Sequence, residues 1–212
     1  MAAKKRTTRA ARTAPRKRPR QERSEATVDA TLEAAAREFA SEGYEGATTN
    51  RIAAAAGISV GSLYQYFPSK EAIAVELARR YRADRLAFVR GQLEAVGHEP
   101  LASVVHALFA SFLKAEGIHP ALYRMLIEQV MRSSSARGEL GGYEEKLEAL
   151  VAEALRRVQP PPAIDDFDLA AFILVRLVLA LVHSATADRP RYNTPALGNE
   201  LTKLVLGYLG AK

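Results

Sequence analysis

The 212-residue chain is 48% hydrophobic and carries six more Lys and Arg than Asp and Glu, enough sequence to bury a substantial core in one or two domains. It contains no cysteine, which excludes a disulfide framework, a thiolate metal site and a cysteine nucleophile, and suits a reducing cytoplasm. The positive charge is uneven: residues 1–20 hold nine cations (Lys4, Lys5, Arg6, Arg9, Arg12, Arg16, Lys17, Arg18 and Arg20) and no acid, leaving 21 basic and 24 acidic side chains in the other 192 residues.

Residues 1–20 have no apolar stretch to act as the core of a secretory signal. Their Arg, Ala and Thr content mimics a transit peptide, but Pro15, Pro19 and the lack of an apolar stripe argue against an amphipathic targeting helix. Uncompensated charge with prolines predicts a disordered tail. Its PRKRPR run has the composition of a basic arm that enters a minor groove, without the Gly-Arg-Pro core of a true hook. The plainer reading is a solvated tail that adds non-specific affinity; either way it steepens the salt dependence of binding to a polyanion.

A first helix is expected over residues 24–41, with Val28, Leu32, Ala35, Ala36 and Phe39 at helical spacing and Gly43 closing it. Thr48 or Thr49 can cap a short second helix that buries Ile52, Ala53 and Ala56. Gly57 stands where a left-handed helix end wants glycine. Ile58 plugs the turn, and Ser59 can cap a third helix running to about Tyr66. That helix turns only Leu63 and Phe67 inward and leaves Val60, Gly61, Ser62, Tyr64, Gln65 and Tyr66 for a partner. A thin apolar seam under small or hydrogen-bonding groups is what a major-groove recognition helix requires. Ser69 caps a fourth helix reaching about Val96 through Ile73, Leu77, Tyr81, Val89 and Leu93, long enough to link two domains.

Further helices are expected from Pro100 to about Glu116, from Pro120 to about Arg132, and up to Val158, the last preceded by the loop SSSARGELGG. QPPP is a break. An eighth helix, from about Asp166 to Ala187, is apolar on most of its circumference, and a ninth follows Thr194 and Pro195 through Leu197, Leu201, Leu204, Val205 and Leu209. The longest apolar run, residues 169–182, contains Arg176 and is short for a bilayer, so no membrane partner is expected.

Between residues 24 and 81 the chain resembles the TetR-type bacterial transcriptional regulators. The resemblance is carried by FASEGYEGATTNRIA, by AAAGISVGSLYQYFPSKEAI, and most specifically by LYQYFPSKEAI within it; beyond Tyr81 it is one of architecture. It implies an all-α protein of about nine helices: a helix-turn-helix domain over 21–70 behind the tail of 1–20, and a ligand-binding and dimerisation domain over 71–212. The implied function is a cytoplasmic transcriptional regulator, a repressor that leaves a palindromic operator when a small-molecule effector binds.

By that resemblance Val60, Gly61, Ser62, Tyr64, Gln65 and Tyr66 match groove-facing positions, and Asn50 matches one that reaches a base. Gln65 and Asn50 carry amides able to pair bidentately with adenine. Tyr64 and Tyr66 can donate to phosphates, or else simply pack the small domain. Lys70 stands where an ammonium and the free N–H groups of a helix start can meet a phosphate, and Thr48, Thr49 and Arg51 are further phosphate candidates. Val60 and Gly61 have no polar reach, which favours readout of thymine methyls and shape.

The resemblance also implies an effector cavity among the fourth to eighth helices. Helical facing nominates His106, Phe109, Phe112, Leu113, Tyr123, Leu126, Ile127, Gln129, Val130, Phe172 and Arg176, most of which would look the same as ordinary core. Arg176, inside FILVRLVLA, must be paired or reach solvent; effector binding, a dimer contact and core pairing stay open, as they do for His183. A four-helix bundle formed with a second copy would use Leu177, Leu181, His183, Leu201, Val205 and Tyr208. Such a dimer would set two recognition helices about 34–36 Å apart, one turn of duplex DNA.

Enzymatic function is not expected. His98, His106, His119 and His183 have no HExxH-like spacing, and neither a nucleophile motif nor a phosphate-binding glycine loop is present; no cofactor or metal is implied. The competing reading is an architectural, non-specific DNA-binding protein that relies on the basic tail.

Overall fold

The computed structural model describes residues 22–96, 98–114, 122, 125–126 and 140–210. Among these there are eight α-helices and no strand: α1 (Glu22–Gly46), α2 (Thr49–Ala55), α3 (Val60–Tyr66), α4 (Lys70–Glu94), α5 (Leu101–Lys114), α6 (Tyr143–Arg157), α7 (Phe167–His183) and α8 (Pro195–Tyr208). The helix expected from Pro120 to Arg132 lies mostly outside the described residues, although Leu122, Met125 and Leu126 are helical and buried.

The helix ends follow from local chemistry. Gly43, at φ 70° and ψ 177°, interrupts α1 three residues before its end. Thr48, Ser59 and Ser69 each accept a hydrogen bond from the backbone N–H three residues on, capping α2, α3 and α4. Gly57 takes φ 69°, and the N–H of Ile58 returns to the carbonyl of Ala53 at 3.0 Å, the glycine-ended closure that sets the angle between α2 and α3. Asp166 caps α7 through the N–H groups of Asp168 and Leu169, both at 3.0 Å.

Three apolar clusters order the helices. The first gathers α1–α3 and the start of α4 around Leu32, Phe39, Ile52, Leu63, Phe67 and Ile73, and also takes in Leu122, Met125, Leu126 and Leu140 from the later chain. Burying each of its large side chains contributes about 1.5–3 kcal/mol. The second joins the far end of α4 to α5, α6 and α7, and the third joins α5, α6, α7 and α8. The 25-residue α4 is shared by the first two and, at ~1.5 Å per residue, spans roughly 37 Å.

Ion pairs fasten α4 at both levels. Glu76 receives Arg79 through two nitrogens, at 2.7 and 2.6 Å, and Arg80 at 3.1 Å; Arg80 also meets Asp29 of α1 at 2.5 Å. Burial works to raise the Glu76 carboxyl, but the bonds from Arg79 and Arg80 outweigh it and hold the group below the ordinary carboxylate value. Further along, Arg82 donates to the carbonyl of Leu140 at 2.6 Å, lies over the Tyr143 ring, and stands 3.8 Å from Glu144, tying α4 to the start of α6.

The segment Phe167–Thr186 is 20 residues long and, by length and composition alone, apolar enough to cross a membrane. It packs closely on α6 and puts Arg176 at its middle.

Candidate functional site

The outer surface of α2 and α3 is built by what their inner surfaces bury. Ile52, Ala53 and Leu63 are wholly buried, which fixes the rotation of both helices and turns Asn50, Gly61, Tyr64 and Gln65 to the exterior. The Tyr64 hydroxyl lies 3.0 Å from that of Thr49, so the start of α2 and the middle of α3 share one hydroxyl-bearing patch. The Ser62 hydroxyl is 2.9 Å from that of the capping Ser59. A Cβ at Gly61 would meet only the Ser59 hydroxyl, 3.9 Å away. The fold therefore has no steric need for glycine there, and the smooth spot on α3 is available for close approach.

Val60, Tyr66, Arg51, Lys70 and Thr48 also have partners within the chain. Val60 and Tyr66 are half-buried against the first core, and the Tyr66 hydroxyl donates to Ser24 at 3.3 Å, so this end of α3 leans on α1. Arg51 is held by Glu38 at 2.9 Å and Glu42 at 3.1 Å, both on α1. Hydrogen bonding to Glu42, then the charges of Glu38 and Glu42, keep its guanidinium firmly charged. Lys70 donates to the carbonyls of Tyr44 and, at 2.9 Å, Ala47, with its ammonium 4.3 Å from the centre of the Tyr44 ring. The Tyr44 phenol is pushed up to about 12 by burial and by Glu71 and Glu45, so it stays neutral. Thr48 spends its hydroxyl on capping.

A cavity of about 110 Å³ lies between α4, α5, α6, α7 and α8. Among the described residues its wall is Val, Leu, Ala and Phe throughout: Val89 and Leu93 come from α4 and Val96 from the turn just after it, with Val104, Leu108 and Phe109 of α5 and Leu147 and Val151 of α6 among those facing them. Among the described residues, Phe109 is the one nominated pocket residue on this wall. His106 is exposed, its Nε2 lying 3.2 Å from Asn199 Oδ1 on α8. Leu126 belongs to the first core. Phe172 and Arg176 are exposed on α7, where Arg176 pairs with Glu148 of α6 at 3.0 Å and lies over the Phe172 ring. Phe112 and Leu113 sit on the last turn of α5 with side chains outside the described residues, as are Tyr123, Ile127, Gln129 and Val130 altogether.

The residues nominated for a dimer contact separate. Leu201 and Val205 point inward into the third core, and Val205 also lines the cavity. Leu177 and His183 are half-buried, whereas Leu181 and Tyr208 are exposed. Sequence reasoning passed over Leu169, Ile173 and Leu204 as exposed apolar residues; with Phe172 they give α7 and α8 an outward apolar surface. The signal available was the apolar circumference of α7, too large for one face to bury. The cavity wall had no such signal, since a void-lining valine and a core valine have the same sequence pattern.

Residues 32–77 match the profile of bacterial regulatory proteins of the tetR family, and residues 100–209 match that of the tetracyclin repressor-like C-terminal domain. The chain is 32% identical over 132 residues to the HTH-type transcriptional repressor AcnR of Corynebacterium diphtheriae, a match covering 59% of this chain and 62% of that protein. It thus spans less than two thirds of that relative's length. A TetR-family transcriptional regulator from Mesorhizobium loti superposes with a TM-score of 0.75 at 20% identity, covering 90% of this chain and 98% of the other. FadR of Bacillus subtilis, solved in complex with stearoyl-CoA, superposes with a TM-score of 0.62 at 22% identity, covering 85% and 98%. At these identities the two structures speak for the fold.

Proposed function

Given that the chain belongs to the TetR family of bacterial regulatory proteins, we propose that it is a cytoplasmic repressor that binds a palindromic operator as a homodimer and leaves it when an apolar small molecule enters the cavity. Residues 21–70 are the DNA-binding domain and 71–212 the effector-binding and dimerisation domain. Tyr64, Gln65, Gly61 and Ser62 of α3 and Asn50 and Thr49 of α2 face the major groove. Val60 and Tyr66 set the edge of that surface; Thr48, Arg51 and Lys70 order it and meet phosphates at its rim.

One observation carries this reading. The same helix, α4, begins in the core beneath the recognition helix at Ile73 and ends as cavity wall at Val89 and Leu93. A ligand that prefers one position of the α4 end is linked through that helix to the position of α3, and lowers operator affinity by its differential affinity for the two states. The second copy would cover the outward apolar surface of α7 and α8, including Leu181 and Tyr208. A described lining that is entirely apolar favours a ligand that inserts a hydrocarbon portion, as in an acyl chain, with its polar group outside that lining. The acyl-CoA bound by the B. subtilis neighbour belongs to that chemical class.

The test is selection of the full chain against random double-stranded DNA at near-physiological salt, followed by sequencing. Recovery of one palindromic motif, with release by a long-chain acyl-CoA or fatty acid, is the expected outcome. Enrichment without symmetry or preference would overturn the operator reading.

A further inference from the structure

Polar side chains gather just beyond one end of the apolar cavity. α4 and α6 run parallel: Arg82 donates to the carbonyl of Leu140 at 2.6 Å and lies over the Tyr143 ring, and eleven residues further along α4 the carbonyl of Leu93 accepts from Arg157 at 3.0 Å. α7 runs the other way. Asp168, at its start, meets Arg156 at 2.8 Å, and Arg176, further on, meets Glu148 at 3.0 Å. The end of the cavity nearer the helix-turn-helix unit is therefore bounded by the middle of α4, the start of α6 and the end of α7.

On each of these helices the last wall residue at that end is followed, one turn further out, by a polar residue. Arg85 follows Val89, Tyr143 follows Leu147 and His183 follows Leu179, each four residues away and so on the same helical face. Arg85 is 5% exposed, with its guanidinium 5.2 Å from the centre of the Phe88 ring; Tyr143 is buried as well and His183 half-buried. Two charged residues are buried among the described ones. Glu76, with Arg79 and Arg80, belongs to the joint with α1, whereas Arg85 belongs to the cavity end. A guanidinium presents five N–H donors in a planar fork, enough to hold a partner within the chain and a ligand carboxylate together.

We infer that this end of the cavity is a carboxylate site, where Arg85, flanked by Tyr143 and His183, takes the head of a long-chain monocarboxylic acid whose hydrocarbon fills the void beyond Val89. The rise from Arg85 to Val89 is about 6 Å, which the first few methylenes cross. The site selects the free acid over an ester or thioester, which has no charge at that carbon. The head lies one turn from Arg82, whose bonds tie α4 to α6, so the ligand acts on the joint between those two helices. The inference rests on the cavity being the effector site, as proposed above, and adds which end the head takes and which residue reads it.

The test titrates the full chain with parinaric acid and with its methyl ester, followed by the fluorescence of the shared polyene, and repeats both with Arg85→Gln. The unaltered chain should bind the acid at least about tenfold more tightly than the ester, as a charge-assisted hydrogen bond provides. Arg85→Gln should bring that ratio to about one while leaving the ester's affinity unchanged. A general loosening of the fold would weaken acid and ester alike, so the ratio reads the head group. Equal binding of acid and ester by the unaltered chain would overturn the carboxylate site and leave the cavity reading in place, and this arm needs no variant. A preference that survives Arg85→Gln would overturn Arg85 as its reader. Binding of neither probe would overturn the hydrocarbon reading of the cavity, and the carboxylate site with it.

Discussion

The ammonium of Lys70 donates to the carbonyl of Ala47 at 2.9 Å and also to that of Tyr44, so the first turn of α4 is stitched to the end of α1. By position Lys70 resembles a phosphate ligand, and it carries a structural load as well. Lys70→Ala leaves both half-buried carbonyls short of a donor, at a cost of about 1–2 kcal/mol. For a chain of this size that is a fall of roughly 3–6 °C in melting temperature. Thermal unfolding should show this drop together with weaker operator binding; unchanged melting would mean the stitch has no structural weight.

Tyr64 offers the opposite case, since it is 40% exposed and its hydroxyl meets that of Thr49 in an exposed patch. Tyr64→Ala should weaken operator binding by about 1–3 kcal/mol while melting stays within a degree or two. Fluorescence anisotropy on the selected duplex reads the affinity, and an unaltered dissociation constant would remove Tyr64 from the DNA face.

Gly61 sits inside a helix that a Cβ would not disturb. Gly61→Ala should therefore stabilise the protein by about 0.5–1 kcal/mol. If the smooth spot admits the duplex closely, the same substitution should reduce operator affinity at least several-fold. Higher melting with full affinity would mean that glycine at this position does nothing for binding.

Glu76 predicts a pH dependence. Arg79 and Arg80 hold its folded value below the ordinary one, so its stabilisation is complete above the unfolded value of about 4.3 and is lost as pH falls through the folded value. Glu76→Gln should cost about 1–2 kcal/mol at pH 7, with the gap to the unaltered protein closing towards pH 3. Urea unfolding at the two pH values measures it; a constant gap would assign the cost to packing.

Two substitutions separate the cavity from the outer face of α7 and α8. Val104→Phe occupies the void and should weaken binding of parinaric acid, a fluorescent fatty acid, by at least about tenfold, while DNA binding is retained. Phe172→Glu on the exposed apolar surface should shift the sedimenting species from dimer to monomer and abolish operator binding. A dimer that survives this change would move the contact elsewhere.

Much of the fold is written locally in the chain. Thr48, Ser59 and Ser69 cap where their hydroxyls can reach a backbone N–H, and Gly57 turns where a Cβ would be strained, so α2, α3 and the start of α4 follow from short-range chemistry. The burial of Ile52, Leu63 and Phe67 is equally local, because spacing alone decides which face of a short helix is apolar. Partnership is different, since it depends on groups far apart in sequence. Tertiary structure brought Glu38 and Glu42 to Arg51, the Ala47 carbonyl to Lys70, Ser24 to Tyr66 and Glu148 to Arg176. It also decided that Val205 and Phe109 line a void while Phe172 looks outward, because a cavity is the space that several helices fail to fill together. Residue type and spacing determine which face of a helix is apolar; only the packing of distant helices determines whether that face meets core, cavity or solvent.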